Sequence, residues 1–128
     1  VTIVISYSPS PSGEAALAAG ITEAQLRGTD AVIVNVSHGN IDSGRKVATP
    51  AQLAAAQQRA ADAGVAVTTT QPDDALPHYA ITRTVQEIDA ELLVIGLRKR
   101  SAVGKIVTGS LARELLLNPP CDIYAVRM

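Results

Sequence analysis

Five short runs of β-branched and aliphatic residues recur along the chain, and a helical pattern separates each run from the next. The runs are VTIVISY (1–7), AVIVNVS (31–37), VAVTTTQ (65–71), ELLVIG (91–96) and DIYAVR (122–127). Strict alternation of this kind constrains the fold more than any other feature, because it calls for parallel strands joined by helical crossovers. AVIVNV and LLVI are nearly continuous in apolar character, as strands covered on both faces are. The expected architecture is α/β: a single domain over residues 1–128, with a doubly wound, five-stranded, mostly parallel sheet and helices on both faces.

Capping residues mark where the helices start and stop. The first pattern, GEAALAAGITEAQLRG (13–28), sets Leu17, Ile21 and Ala24 on one face and ends at Gly28. SPSPSG before it reads as a turn that launches this helix. The second, TPAQLAAAQQRAADAG (49–64), opens with Thr49 as N-cap and Pro50 at the first helical position, and Gly64 stops it. The third covers about residues 76–90, with Ile81, Val85 and Ile88 apolar. Asp73 and Asp74 complement its dipole. The fourth covers about residues 110–118, with Leu111, Leu115 and Leu116 apolar, and Asn118-Pro119-Pro120 ends it.

Composition excludes several function classes. Apolar residues are 47% of the chain, but Phe and Trp are absent, so Val, Ile, Leu and Ala must fill the core. The formal net charge of -1 gives no global field for nucleic acid or an anionic membrane. Three tyrosines as the only aromatics make a poor stacking platform for single strands. Cys121 is the only cysteine, so no intrachain disulfide forms, which fits a reducing compartment. VTIVISYSPSPSG lacks a charged n-region and a small-residue cleavage site, and no apolar run reaches the ~18 residues of a membrane span. The expectation is a soluble cytoplasmic protein.

Charge clusters at one place. GLRKRSAVGKIVTGS (96–110) holds Arg98, Lys99, Arg100 and Lys105 between the fourth strand and the fourth helix. In a doubly wound sheet ligands bind beyond the carboxyl ends of the strands, where this loop lies with SYSPSPSG and VSHGN. Gly96 allows close approach of backbone or a positive φ. Gly109 and Ser110 open a helix whose free N–H groups and positive end favour phosphate. Singly, each glycine reads as loop geometry and each cation as a solvated turn; together they point to an anion. Two familiar phosphate motifs fail: Ile106 follows Gly104-Lys105 where a P-loop needs Ser or Thr, and the first loop lacks G-x-G-x-x-G. His38 and His78 are isolated and read as polar surface. With one cysteine they form no recognisable zinc set. Cys121 reads as a small apolar residue at a strand start.

The element order, the glycine spacing and the closing PCDIYAVR resemble the universal stress protein family over essentially the whole chain. ATP-binding members carry G, two residues, G, nine residues, G, then Ser or Thr. Here Gly96, Leu97-Arg98, Lys99, residues 100–108 and Gly109-Ser110 reproduce that spacing, with Lys99 in place of the second glycine. The resemblance implies strand order 3-2-1-4-5 and an ATP site, with Mg²⁺ accompanying the triphosphate. Adenine would lie near Ser8 and the backbone of Val36. Phosphates would run along Gly96, Arg98 and Lys99 to Gly109, Ser110 and the backbone of Leu111. Ser8 stands where ATP-binding members place an Asp. The resemblance also implies a homodimer through the last strand, with Tyr124 and Val126 taking part, and a role in stress response. No residue reads as catalytic, so at most slow ATP hydrolysis is expected. Two other readings stay open: a non-nucleotide-binding dimeric interaction module of the same family, and an adenylate-forming hydrolase relative, which would need a catalytic carboxylate, His or Cys near the loop.

Overall fold

The structure, a computed structural model, describes residues 2–37, 47–98 and 109–127. Its elements run β1 (Thr2–Ser6), α1 (Pro11–Arg27), β2 (Asp30–Val34), α2 (Pro50–Asp62), β3 (Val67–Thr70), α3 (Pro77–Ile88), β4 (Leu92–Leu97), α4 (Gly109–Leu117) and β5 (Asp122–Arg127). The five strands form one sheet in the order β3-β2-β1-β4-β5. All four pairings are parallel, so the sheet is wholly rather than mostly parallel.

Strand alternation sorts the core into two halves. Ile3, Ile5, Ala31, Ile33, Leu92 and Val94 face Ala16, Leu17, Ile21, Ala24, Ala56 and Ala60 of α1 and α2. The intervening residues Val4, Val34, Leu93 and Ile95 face Ala80, Ile81, Val85, Ala112 and Leu115 of α3 and α4. β1 sits at the centre of the sheet, and its Ile3, Val4 and Ile5 have no solvent exposure. Burying each such side chain is worth about 1.5–3 kcal/mol. Alanine-rich helices supply the small surfaces that let the branched strand residues close the core without large aromatics.

Helix boundaries follow the capping chemistry, with one shift. α1 begins at Pro11, two residues before the expected start, because Ser10 is its N-cap and its hydroxyl accepts from the Gly13 amide at 3.2 Å. The serine-proline run is therefore partly the first turn of the helix. Gly28 closes α1 in the left-handed region, at φ 64°. At α2 the Thr49 hydroxyl accepts from the Gln52 amide at 3.1 Å and the Gln52 side chain accepts from the Thr49 amide at 2.8 Å, a complete capping box. α3 has no side-chain cap on Leu76. Asp74 accepts from the Leu76 amide at 2.9 Å and pairs with Arg83, which braces the helix start. β3 is shorter than expected: Val65 is buried ahead of the strand, and pairing with β2 begins at Val67.

Candidate functional site

The sheet order places a reversal of winding between β1 and β4. The chain leaves β1 into α1 on one face and leaves β4 towards α4 on the other, so the carboxyl ends of these strands diverge. A cleft opens at this edge over the ends of β1 and β2. Ser6, Tyr7 and Ser8 line it from β1, and Val34, Asn35 and Val36 from β2. Ile81 of α3 and Leu111 in the first turn of α4 form its wall. Three residues singled out in the sequence, Ser8, Val36 and Leu111, thus meet around one concavity.

Val36 owes its position to the ladder. The Tyr7 amide donates to the Val34 carbonyl at 2.9 Å, so Val34 faces β1. The Asn35 amide donates to the Thr70 carbonyl at 3.0 Å and the Ser37 amide to the Pro72 carbonyl at 2.9 Å, so residues 35 and 37 face the β3 side. Backbone groups alternate in direction along a parallel strand. The N–H and C=O of Val36 therefore face the β1 side, where the chain has already turned away into α1. Among the described residues no backbone hydrogen bond takes them up. An extended peptide edge with a free donor and acceptor can hold a planar heterocycle that offers the complementary pair.

Asn35, which the sequence reading passed over in favour of its neighbour, organises this edge. It is 2% exposed, and Tyr7 aside it is the only buried polar side chain among the described residues. Its Nδ2 donates to the Tyr7 carbonyl at 2.9 Å. Its Oδ1 accepts from the Ala48 amide and from Gln71 Nε2, both at 2.9 Å. Gln71 Nε2 also donates to the Ala48 carbonyl at 2.9 Å. The signal was present in the sequence: a polar amide inside the apolar run AVIVNV.

Ser8 has a hydroxyl already engaged. Its Oγ lies 2.7 Å from Ser10 Oγ, which lies 3.4 Å from Ser12 Oγ. A Cβ added at Gly13 would fall 1.9 Å from the Ser8 carbonyl oxygen, so the loop is folded tightly onto the helix start. Beneath it, Tyr7 is 5% exposed and its hydroxyl donates to Glu14 Oε1 at 2.8 Å. Glu14 Oε2 in turn accepts from Arg59 at 2.8 Å. Burial, then the hydrogen bond to Glu14 and its charge, push the Tyr7 phenol up to about 12, against a small opposing effect of Arg59. The group stays neutral across the physiological range.

Gly96 makes the close backbone approach expected of it. A Cβ there would lie 2.0 Å from the Ser12 carbonyl oxygen, so the missing side chain admits the first turn of α1. Its φ is not positive, since Gly28 and Gly64 are the positive-φ glycines among the described residues. Arg98 follows β4 directly and is exposed. Gly109 and Ser110 open α4 as expected, with Ser110 exposed and Leu111 half-buried. Lys99, Arg100 and Lys105 lie outside the described residues, as does His38.

The remaining candidates stay apart from the cleft. His78 stacks on Tyr79 with ring centroids 4.5 Å apart. Cys121 is half-buried against the α3–α4 half of the core, and burial with the Asp122 charge raises its thiol. Among the described residues no three His, Cys, Asp or Glu side chains are grouped to hold a metal ion. No helix among them is long and apolar enough to cross a membrane.

Comparison with known proteins agrees on one family. The model described as Universal stress protein family matches residues 2–127. A universal stress protein of Mycolicibacterium smegmatis is 35% identical over 125 residues, 98% of this chain and 96% of that protein. The solved universal stress protein of Archaeoglobus fulgidus superposes with a TM-score of 0.81 at 26% identity, covering 98% of each chain. A structure of the universal stress protein from that organism in complex with dAMP gives 0.75 at 23% identity, over 98% of this chain and 97% of that one. That last likeness is one of fold.

Proposed function

The chain belongs to the universal stress protein family, and on that premise we propose that it binds an adenine nucleotide, ATP, at the carboxyl edge of the sheet and acts as a regulatory protein of stress response. One observation carries the reading: the backbone edge of Val36, turned into a cleft whose opposite wall is the first turn of α4. Adenine needs a neighbouring donor and acceptor, and Val36 offers both. The phosphates need positive ends, and the start of α4 at Gly109, Ser110 and Leu111 offers free amides and a favourable dipole. Arg98, exposed directly after β4, adds positive charge at this edge, and the next residue in sequence, Lys99, is a second cation. The nucleotide complex of an Archaeoglobus fulgidus protein with the same fold supports the choice of ligand class.

Mg²⁺ would travel with the triphosphate, since Asp and Glu form no dedicated cage for it among the described residues. No carboxylate or histidine of the described cleft stands ready as a general base. The protein is therefore read as a binder with slow ATP hydrolysis at most, acting in the cytoplasm. It pairs with a second copy through β5, whose outer edge is open.

One observation favours the second reading, an interaction module that binds no nucleotide. The Ser8 hydroxyl, standing in for a carboxylate, already bonds Ser10. Calorimetric titration with ATP and Mg²⁺ separates the two readings. Micromolar binding by the parent, lost in Gly109→Val, is expected. A folded parent that takes up no ATP would leave the interaction module.

A further inference from the structure

We propose that Asn35 is the positioning residue of the nucleoside half of the site: its carboxamide holds the Val36 peptide edge open to the cleft and so sets affinity for the base, while leaving the phosphate half unaffected. The inference rests on the adenine-nucleotide reading and deepens it.

The hydrogen bonds fix the orientation of the amide. A backbone carbonyl, that of Tyr7, faces one end of it and must accept; a backbone amide, that of Ala48, faces the other and must donate. Only Nδ2 towards Tyr7 and Oδ1 towards Ala48 satisfies both. Aspartate, of the same shape, would set a carboxylate oxygen against the Tyr7 carbonyl. An aliphatic residue would leave the Tyr7 carbonyl and the Ala48 amide without this partner in a buried place.

The same bonds explain why Val36 is free. β1 and β2 run paired from Thr2–Asp30 to Ser6–Val34. Beyond that point the strands must part if Val36 is to present its backbone to a ligand. The Tyr7 amide still reaches Val34, but the Tyr7 carbonyl turns to the Asn35 side chain instead of to the next β2 amide. A side chain thus replaces a ladder bond at the position where the two strands diverge. On the opposite side, Ala48 and Gln71 anchor Asn35 to the start of α2 and the end of β3. Three segments are tied at one amide, directly behind the proposed base-binding peptide. Among the described residues no comparable link reaches α4, which carries the phosphate half.

The test divides the ligand into its two halves. Parent and Asn35→Ala are titrated with adenosine and, separately, with inorganic tripolyphosphate, and affinity is read from amide shifts in nitrogen–proton correlation spectra. The expected result is an adenosine affinity weakened about tenfold, with the tripolyphosphate affinity within about twofold of the parent. Equal weakening of both probes, or of neither, overturns the inference while binding by the parent keeps the nucleotide reading. A parent that binds neither probe defeats the nucleotide reading and the inference with it. Should Asn35→Ala not fold, Gln71→Met removes one donor to the Asn35 Oδ1 from an exposed position. It must show the same split, to a smaller degree; no split there also overturns the inference.

Discussion

Gly96 shows how a single atom decides a position. Its absent Cβ leaves room for the Ser12 carbonyl, and backbone cannot swing aside as a flexible side chain can. Gly96→Ala is expected to cost about 1–3 kcal/mol in denaturant unfolding, with β4 and α1 forced apart; an unchanged midpoint would contradict the close approach. Tyr7 gives a test in pH. Its phenol is raised to about 12 in the folded chain, above the ordinary value of about 10. Below pH ~10 both states hold the proton and the stabilisation is complete. Between about 10 and 12 the unfolded chain ionises first, and stability falls by at most about 1.4 kcal/mol per pH unit. Tyr7→Phe should lose that part of the decline in urea unfolding at alkaline pH, and equal slopes in the two proteins would contradict it. Both residues also mark a limit of sequence reading. Glycine at position 96 was visible as special, but its neighbour in space is 84 residues back in the chain, by the difference of 96 and 12. Asn35 was visible as a polar amide in an apolar run, but its partners were not, since Tyr7, Ala48 and Gln71 come from three separate segments.

Elements were more legible than residues, because their ends are set by neighbours in sequence. Thr49-Pro50 announced α2, and the structure supplies both bonds of the capping box. Thr49→Ala should therefore cost about 1 kcal/mol and lower the melting temperature by roughly 3–5 °C in calorimetry, with no change in nucleotide affinity. A shift below 1 °C would mean that the cap is not formed in solution. Gly28 likewise announced the end of α1, and it takes the left-handed conformation there. The misplacements also have local causes. Ser10 rather than Gly13 starts α1, because a serine hydroxyl can accept from an amide three residues on and glycine offers no such group. Asp89 ends α3 at φ 53° with no glycine present, so no sequence signal marked that stop. β3 was overextended because β-branched Val65 precedes the Val67–Thr70 segment that has a partner strand.

At the level of the whole molecule, alternation of strand and helix was enough to give a parallel sheet with two covered faces. The strand order came from the family resemblance, since alternation alone does not say where the winding reverses. That reversal puts the cleft at the carboxyl edge and leaves β3 and β5 as the two outer strands. β5 exposes 39% of Tyr124 and, among the described residues, pairs only with β4. An open apolar edge favours association, and sedimentation should show a dimer that Tyr124→Lys weakens about tenfold or more; a monomer at all concentrations would remove β5 as an interface. The central claim concerns the edge of the sheet. Nitrogen–proton correlation spectra recorded as ATP and Mg²⁺ are added test it most directly. The account predicts shifts concentrated at Tyr7, Ser8, Val36, Ser37, Arg98, Ser110 and Leu111, at the ends of β1, β2 and β4 and the start of α4. Shifts gathered at another face of the sheet, or none at saturating nucleotide, would contradict it.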